Sequence, residues 1–211
     1  MQNVVLRRFA QLPYAGIWEE MRSFTNNRGP STVDEIWLLE HEPVFTLGLN
    51  GSTEHLLVKT QTPIVRTDRG GQVTWHGPGQ LMVYTLLDLN RMGIGIKTLV
   101  FRLEQAVIQT LKHYGIKADV VPGAPGVYVE GRKIASIGLR VKKGFSYHGL
   151  SLNVCNDLSP FKSINPCGYE NLEMTSLIEL GLSTSLASAS MALLNNLLNA
   201  LQLKPQVAPK P

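Results

Sequence analysis

From Gln80 to Leu89 the chain reads Gln-Leu-Met-Val-Tyr-Thr-Leu-Leu-Asp-Leu, a run that is almost wholly apolar. A strand exposed on one face alternates apolar with polar residues, so this one must be a central strand covered on both faces. The fold therefore needs a sheet with structure packed above and below it.

The covering layers are legible as helical periodicity. Tyr14, Ile17, Trp18, Met21 and Phe24 recur at helical spacing after Pro13 and stop before Asn26-Asn27-Arg28-Gly29-Pro30. Leu99, Val100, Leu103, Ala106, Val107, Leu111 and Tyr114 form a second stripe, with Gly115 where a left-handed cap belongs. From Thr175 onward the pattern returns to helix, with Ser183 or Ser185 as the N-cap of a Leu- and Ala-rich segment that reaches Leu203. Strands are predicted over residues 35–39, 44–47, 62–67, 127–129, 134–141 and 145–154, with hairpin-like connections at Gly131-Arg132 and Lys142-Lys143-Gly144. Strands grouped centrally with helices at both ends predict an α+β fold, a mixed β-sheet flanked by helices, rather than a doubly wound βαβ arrangement.

The 211 residues show no shift of composition that would divide them, which predicts one domain over residues 1–203. The tail 204–211, with three prolines and little apolar surface, is expected to be disordered. Two cysteines are too few for a disulfide framework, the N-terminus lacks an apolar signal-peptide core, and no apolar run reaches membrane-spanning length. A soluble cytoplasmic protein with no membrane association is the expectation. The net charge of +4 is mild, with basic residues gathered only around Arg132, Lys133, Arg140, Lys142 and Lys143. That permits an acidic partner, but no nucleic-acid-binding motif accompanies it. The five histidines form no H-E-x-x-H or Cys/His cluster, so no metal site is expected.

Candidate chemistry is concentrated in four segments. Cys167 stands on a turn between Pro166 and Gly168, where a thiol can face a cleft. Cys155, following a strand-like alternation, reads instead as packing. A loop cysteine becomes a nucleophile only with a base nearby, and local sequence supplies none. Arg69 to Gln80 (R-G-G-Q-V-T-W-H-G-P-G-Q) holds four glycines, read either as two tight turns around a short strand or as bare backbone approached by a ligand. Neither G-x-x-x-x-G-K-[ST] nor G-x-G-x-x-G occurs. Lys133 opens a strand that continues with small residues at Ala135, Ser136 and Gly138, and a lysine so placed is ordinarily solvated surface. Gly149 interrupts Tyr147-His148-Gly149-Leu150-Ser151, which marks a bulge or a close approach.

Taken together, R-G-G-Q-V-T-W-H-G-P-G-Q, G-x-P-G-V-Y-V at Gly123 to Val129, G-R-K-I-A-S-I-G at Gly131 to Gly138, Y-H-G-L-S-L-N-V at Tyr147 to Val154 and N-P-C-G-Y around Cys167 resemble the lipoyl(octanoyl) transferases. The resemblance covers most of the chain and excludes the tail. It implies a fold similar to biotin and lipoate ligase catalytic domains, and a single acyltransferase domain. It implies transfer of an octanoyl group from octanoyl-acyl carrier protein to a lysine of apo lipoyl domains, in 2-oxoacid dehydrogenase complexes and the glycine cleavage H protein. No cofactor and no ATP are expected. In that family Cys167 would be the acyl-thioester nucleophile and Lys133 its partner, a pairing that spacing alone does not reveal. The acyl pocket would be lined by Arg69, Gly70, Gly71, Gln72, Val73, Thr74, Trp75 and His76, by Ser136, Ile137 and Gly138, and by Gly149, Leu150 and Ser151. A cysteine beside a lysine predicts a coupled pair, the ammonium favouring charged sulfur while burial draws the lysine toward its neutral form. The rival readings are an ATP-dependent ligase of the same fold, a carrier-protein-binding module without chemistry, and a cysteine hydrolase.

Overall fold

The computed structural model describes residues 1–170 and 172–206. Along the chain come β1 (Gln2–Leu12), α1 (Tyr14–Asn27), β2 (Asp34–His41), β3 (Val44–Leu47), β4 (Ile64–Arg66), β5 (Val73–His76), β6 (Gln80–Leu86), the single turn α2 (Leu89–Met92) and α3 (Ile96–His113). Next come β7 (Asp119–Val121), β8 (Ala124–Val129), β9 (Arg132–Lys142), β10 (Phe145–Asn153), α4 (Leu186–Leu201) and β11 (Leu203–Gln206). The fold is α+β, as the patterning predicted.

Eight strands form one mixed sheet in the order β11-β1-β2-β6-β10-β9-β8-β7, parallel at β11-β1-β2 and antiparallel elsewhere. The apolar run that opens at Gln80 is the middle strand β6, buried at every position from Gln80 to Leu86 and flanked by β2 and β10. It ends earlier than expected because Asp88 caps α2, its carboxylate accepting from the Arg91 amide at 3.0 Å. On one face of the sheet, Leu99, Leu103 and Val107 of α3 and Leu193, Leu197 and Leu201 of α4 pack on Leu81, Val83, Leu150 and Leu152. On the other, Ile17 and Met21 of α1 pack on Trp37, Leu39, Met82 and Tyr84. A second sheet, β4-β3-β5, shares that second side and has its own core of Phe45, Leu47, Val73 and Trp75 with Phe161 and Ile164.

The β8-β9 and β9-β10 hairpins turn through Glu130-Gly131 and Lys143-Gly144, each with positive φ at both residues, as a two-residue type I′ loop requires. Three expectations are corrected. The helical pattern does not set in at Thr175, because the chain there is a turn; of the two candidate caps Ser185 is the one used, accepting from the Ser188 amide and opening α4 at Leu186. The tail is partly ordered: Lys204, Pro205 and Gln206 extend β11 and pair in parallel with β1, since an edge strand supplies the backbone partners that a lone apolar-poor segment lacks. The rest of the expected disordered segment, 207–211, lies outside the described residues. Cys155 is exposed, not packed, because β10 ends two residues before it and the chain turns outward, its amide bonding Gly79 O at 3.0 Å. Among the described residues no helix is long and apolar enough to cross a membrane.

Candidate active site

The Lys133 Nζ lies 3.2 Å from Cys167 Sγ. Two separate pieces of local geometry create that contact. On β9, Ala135 pairs with Val127 of β8 while Lys133 pairs with Tyr128, so Ile134 is an extra residue in the ladder, a β-bulge. Strict alternation would put Lys133 on the face opposite Ser136, among the leucines under α3. With the bulge, Ile134 and Ala135 both enter that apolar core and Lys133 emerges on the Ser136 face. Gly126 of β8 makes room there, since a Cβ would stand 2.5 Å from Lys133 Cε. The lysine is only 1% exposed, so the surface role that its sequence position suggested is wrong.

Cys167 is held by a short 3-10 turn, Pro166–Gly168, and has φ of 58°, in the left-handed region that non-glycine residues avoid. The Gly168 amide bonds Asn165 O at 3.0 Å and the Tyr169 amide bonds Pro166 O at 3.1 Å, tying the turn in that conformation. Strain concentrated on a half-buried thiol is typical of functional positions.

Cys167 borders two cavities. One is narrow, about 60 Å³, and runs inward between the sheet and β5. The other, about 350 Å³, opens outward past Ile96, Val100, Pro125 and Tyr169. The narrow cavity is lined by Arg69, Gly70, Gly71, Gln72, Val73, Thr74 and His76, by Ser136, Ile137 and Gly138, and by Gly149, Leu150 and Ser151. These are the residues singled out in the sequence with one exception. Trp75 does not line it; its ring lies edge-on to Phe161, with centroids 5.7 Å apart.

Charge at the site is arranged around buried cations. Arg69 is enclosed by neutral oxygens: Nε and Nη2 donate to Thr46 Oγ1 at 3.1 and 2.8 Å, and Nη2 to the Thr46 and Gln72 carbonyls at 2.7 and 2.8 Å. Burial lowers its pKa, with the charge interactions of the neighbouring Tyr14 and Cys167 acting in the opposite sense. For Lys133, burial again opposes the charged form, but its interactions with the Cys167 sulfur and the Tyr128 oxygen outweigh it and hold the pKa above its ordinary value. The expected drift toward neutral lysine is therefore reversed: beside Cys167 and Tyr128 the ammonium is favoured. The Nζ also lies 5.3 Å from the centre of the Tyr128 ring.

Several residues of this region escaped the sequence reading. Asp68 receives hydrogen bonds from Tyr147 Oη, from Trp18 Nε1 at 2.8 Å and from His148 Nε2 at 2.9 Å. Burial disfavours its charge, but these three donors together hold its pKa well below the usual carboxylate range. Burial keeps His148 neutral despite Asp68, so its Nδ1 is a bare acceptor, without a partner among the described residues. Deeper still, His41 donates from Nδ1 to Leu12 O at 2.9 Å and accepts at Nε2 from Tyr84 Oη at 2.6 Å. Burial lowers its pKa to about 4, and pushes Tyr14 up to about 12. The signal for His148 was present in the glycine that follows it; Asp68, Trp18 and Tyr84 carried none, being ordinary until the fold brings them together.

A mixed sheet carries a Cys-Lys pair beside an inward cavity, and comparison with known proteins gives the class of this fold. Residues 13–198 match the family described as lipoyl protein ligase A/B catalytic domain, and the chain belongs to that family. Among its relatives, the octanoyltransferase of Coxiella burnetii RSA 493 is 57% identical over 84% of this chain and 74% of its own length. The octanoyltransferase of Chromobacterium violaceum is 50% identical over 97% and 99%. In fold the chain is similar to a bipartite lipoate protein ligase of Thermoplasma acidophilum, with TM-score 0.79 at 13% identity over 100% of this chain and 88% of the other. It is also similar to the biotin protein ligase of Aquifex aeolicus, with TM-score 0.55 at 13% identity over 95% and 69%.

Proposed function

We propose that this protein transfers an octanoyl group from octanoyl-acyl carrier protein to a lysine of apo lipoyl domains, through an octanoyl-Cys167 thioester and without ATP. The observation that carries the reading is the 3.2 Å contact between Lys133 Nζ and Cys167 Sγ at the mouth of the inward cavity. The names of the relatives supply the acyl group. The acceptors expected are the lipoyl domains of 2-oxoacid dehydrogenase complexes and the glycine cleavage H protein.

The resting pair is thiolate and ammonium. The Cys167 sulfur attacks the thioester carbonyl, the electron pair moves to oxygen, and amides of the Gly71-Gln72 turn beside the Cys167 loop hold the oxyanion. Collapse expels the pantetheine sulfur, which takes a proton from Lys133. The octanoyl-Cys167 that forms is neutral, so the anion that held the lysine's pKa up is gone. Burial, the largest influence on Lys133, is then opposed only by the Tyr128 oxygen, which shifts the balance toward the free amine. The acceptor lysine's amine then attacks the acyl carbon, Lys133 takes its surplus proton, and Cys167 leaves as thiolate. An amide has replaced a thioester, the ion pair is restored, and the energy of the thioester makes an adenylate unnecessary.

The test is intact-protein mass spectrometry. Mixed with octanoyl carrier protein alone, the enzyme should gain one octanoyl group on Cys167; adding an apo lipoyl domain should move that group to the domain. Octanoylation that occurs only with free octanoate and ATP would instead assign a ligase.

A further inference from the structure

The transfer chemistry occupies one end of the narrow cavity, and the register of the sheet says what closes the other. Lys133 Nζ passes Gly126, so the reacting sulfur sits over the β8-β9 side. From there two rows of register partners cross the strands. Gly138 of β9 pairs with Gly149 of β10, which pairs with Tyr84 of β6; Ser136 pairs with Ser151, which pairs with Met82. Small residues on two adjacent strands leave a trough, and large ones on the third end it. All six line the same cavity, whereas neither Met82 nor Tyr84 reaches the outer one.

We propose that Met82 and Tyr84 are the acyl-chain ruler of this site, setting its preference for eight carbons, with Met82 the adjustable member. The inference rests on the acyl-transfer reading for the class of substrate. From β9 to β6 is two interstrand spacings, roughly 10 Å, close to the span of an extended octanoyl chain. Tyr84 cannot retreat, because its hydroxyl is bonded to the buried His41 and Trp37 of β2 stands behind it in register. Met82 has no polar tie, and the apolar layer of Leu39 and α1 lies beyond it. Shortening Met82 therefore lengthens the trough into apolar surroundings, where each added methylene is favourable rather than excluded.

Competition between hexanoyl, octanoyl and decanoyl carrier protein, read as product masses on the lipoyl domain, tests the ruler. Met82→Ala should raise the decanoyl-to-octanoyl ratio about tenfold or more, and Met82→Phe should favour hexanoyl over octanoyl. A second measurement needs no chemistry: the thermal shift given to Cys167→Ser by free alkanoic acids of graded length should peak at octanoate and move to decanoate when Met82→Val or Met82→Ala is added. Unchanged length profiles in folded Met82 variants overturn the ruler even if octanoyl transfer is intact. A profile that moves with Met82 in a protein unable to acylate any lipoyl domain keeps the ruler and overturns the transfer reading instead.

Discussion

In the proposed mechanism Lys133 is asked to be an acid, a counter-ion and then a base, and only an amine whose protonation follows the charge on a neighbouring sulfur can do all three. Arginine keeps the charge but holds its proton at any working pH. Lys133→Arg should therefore lower overall transfer by a factor of about a hundred or more, the scale of general acid-base catalysis. Nearly full activity in that variant would leave only an electrostatic role. Gly126→Ala tests the same amine through the neighbour that makes room for it. The new methyl would lie 2.5 Å from Lys133 Cε and crowd the Ala135 carbonyl, displacing the amine. We expect transfer to fall at least tenfold with a stability loss of about 1–3 kcal/mol, as overpacking a filled site costs. Unaltered rates of Cys167 acylation would show that the lysine's position tolerates the shift.

Among the elements, the bulge at Ile134 separates what periodicity can predict from what it cannot. The helices over residues 14–27 and 96–113, the β6 strand and both hairpins follow from local spacing and turn chemistry, because each needs only its own residues to satisfy its backbone or bury its stripe. β1 and β11 left little trace, since they lie at one end of the sheet and their stability comes from pairing with each other and with β2. The α4 start follows its Ser185 cap, one of the two candidates, although the helical pattern was expected to set in from Thr175. That cap is checked directly: Ser185→Ala should cost about 1 kcal/mol of stability while leaving acyl transfer unchanged, measured by chemical denaturation beside the activity assay. No loss of stability would mean that packing of α4 on α3 alone sets where the helix begins.

Taken as one body, the molecule carries neutral histidines in its interior at His41, His76 and His148, each with its pKa lowered first by burial. Unfolded histidines take up protons below about pH 6.5. The folded ones do so only at lower pH, about 4 for His41. Between those limits the unfolded state binds more protons, so stability must fall on acidification, by up to about 1.4 kcal/mol per pH unit for each histidine. Asp68, with its pKa held low by its donors, adds a loss of the same sign below the ordinary carboxylate range. Melting temperatures at pH 7.5, 6 and 5 should decline in order, and a flat profile would refute neutral burial of these rings. The chain's own spacing determined the sheet-and-helix composition, the central strand, the glycine-bearing segments that border the cavity, and the loop cysteine, because periodicity and turn chemistry act over a few residues. Only the tertiary structure decided that Lys133 is buried, that it meets a sulfur 34 positions away, and that Met82 and Tyr84 end the trough. Those outcomes depend on which strands lie side by side and on one bulged residue that reverses a side chain's face, and neither is encoded by any short run of sequence.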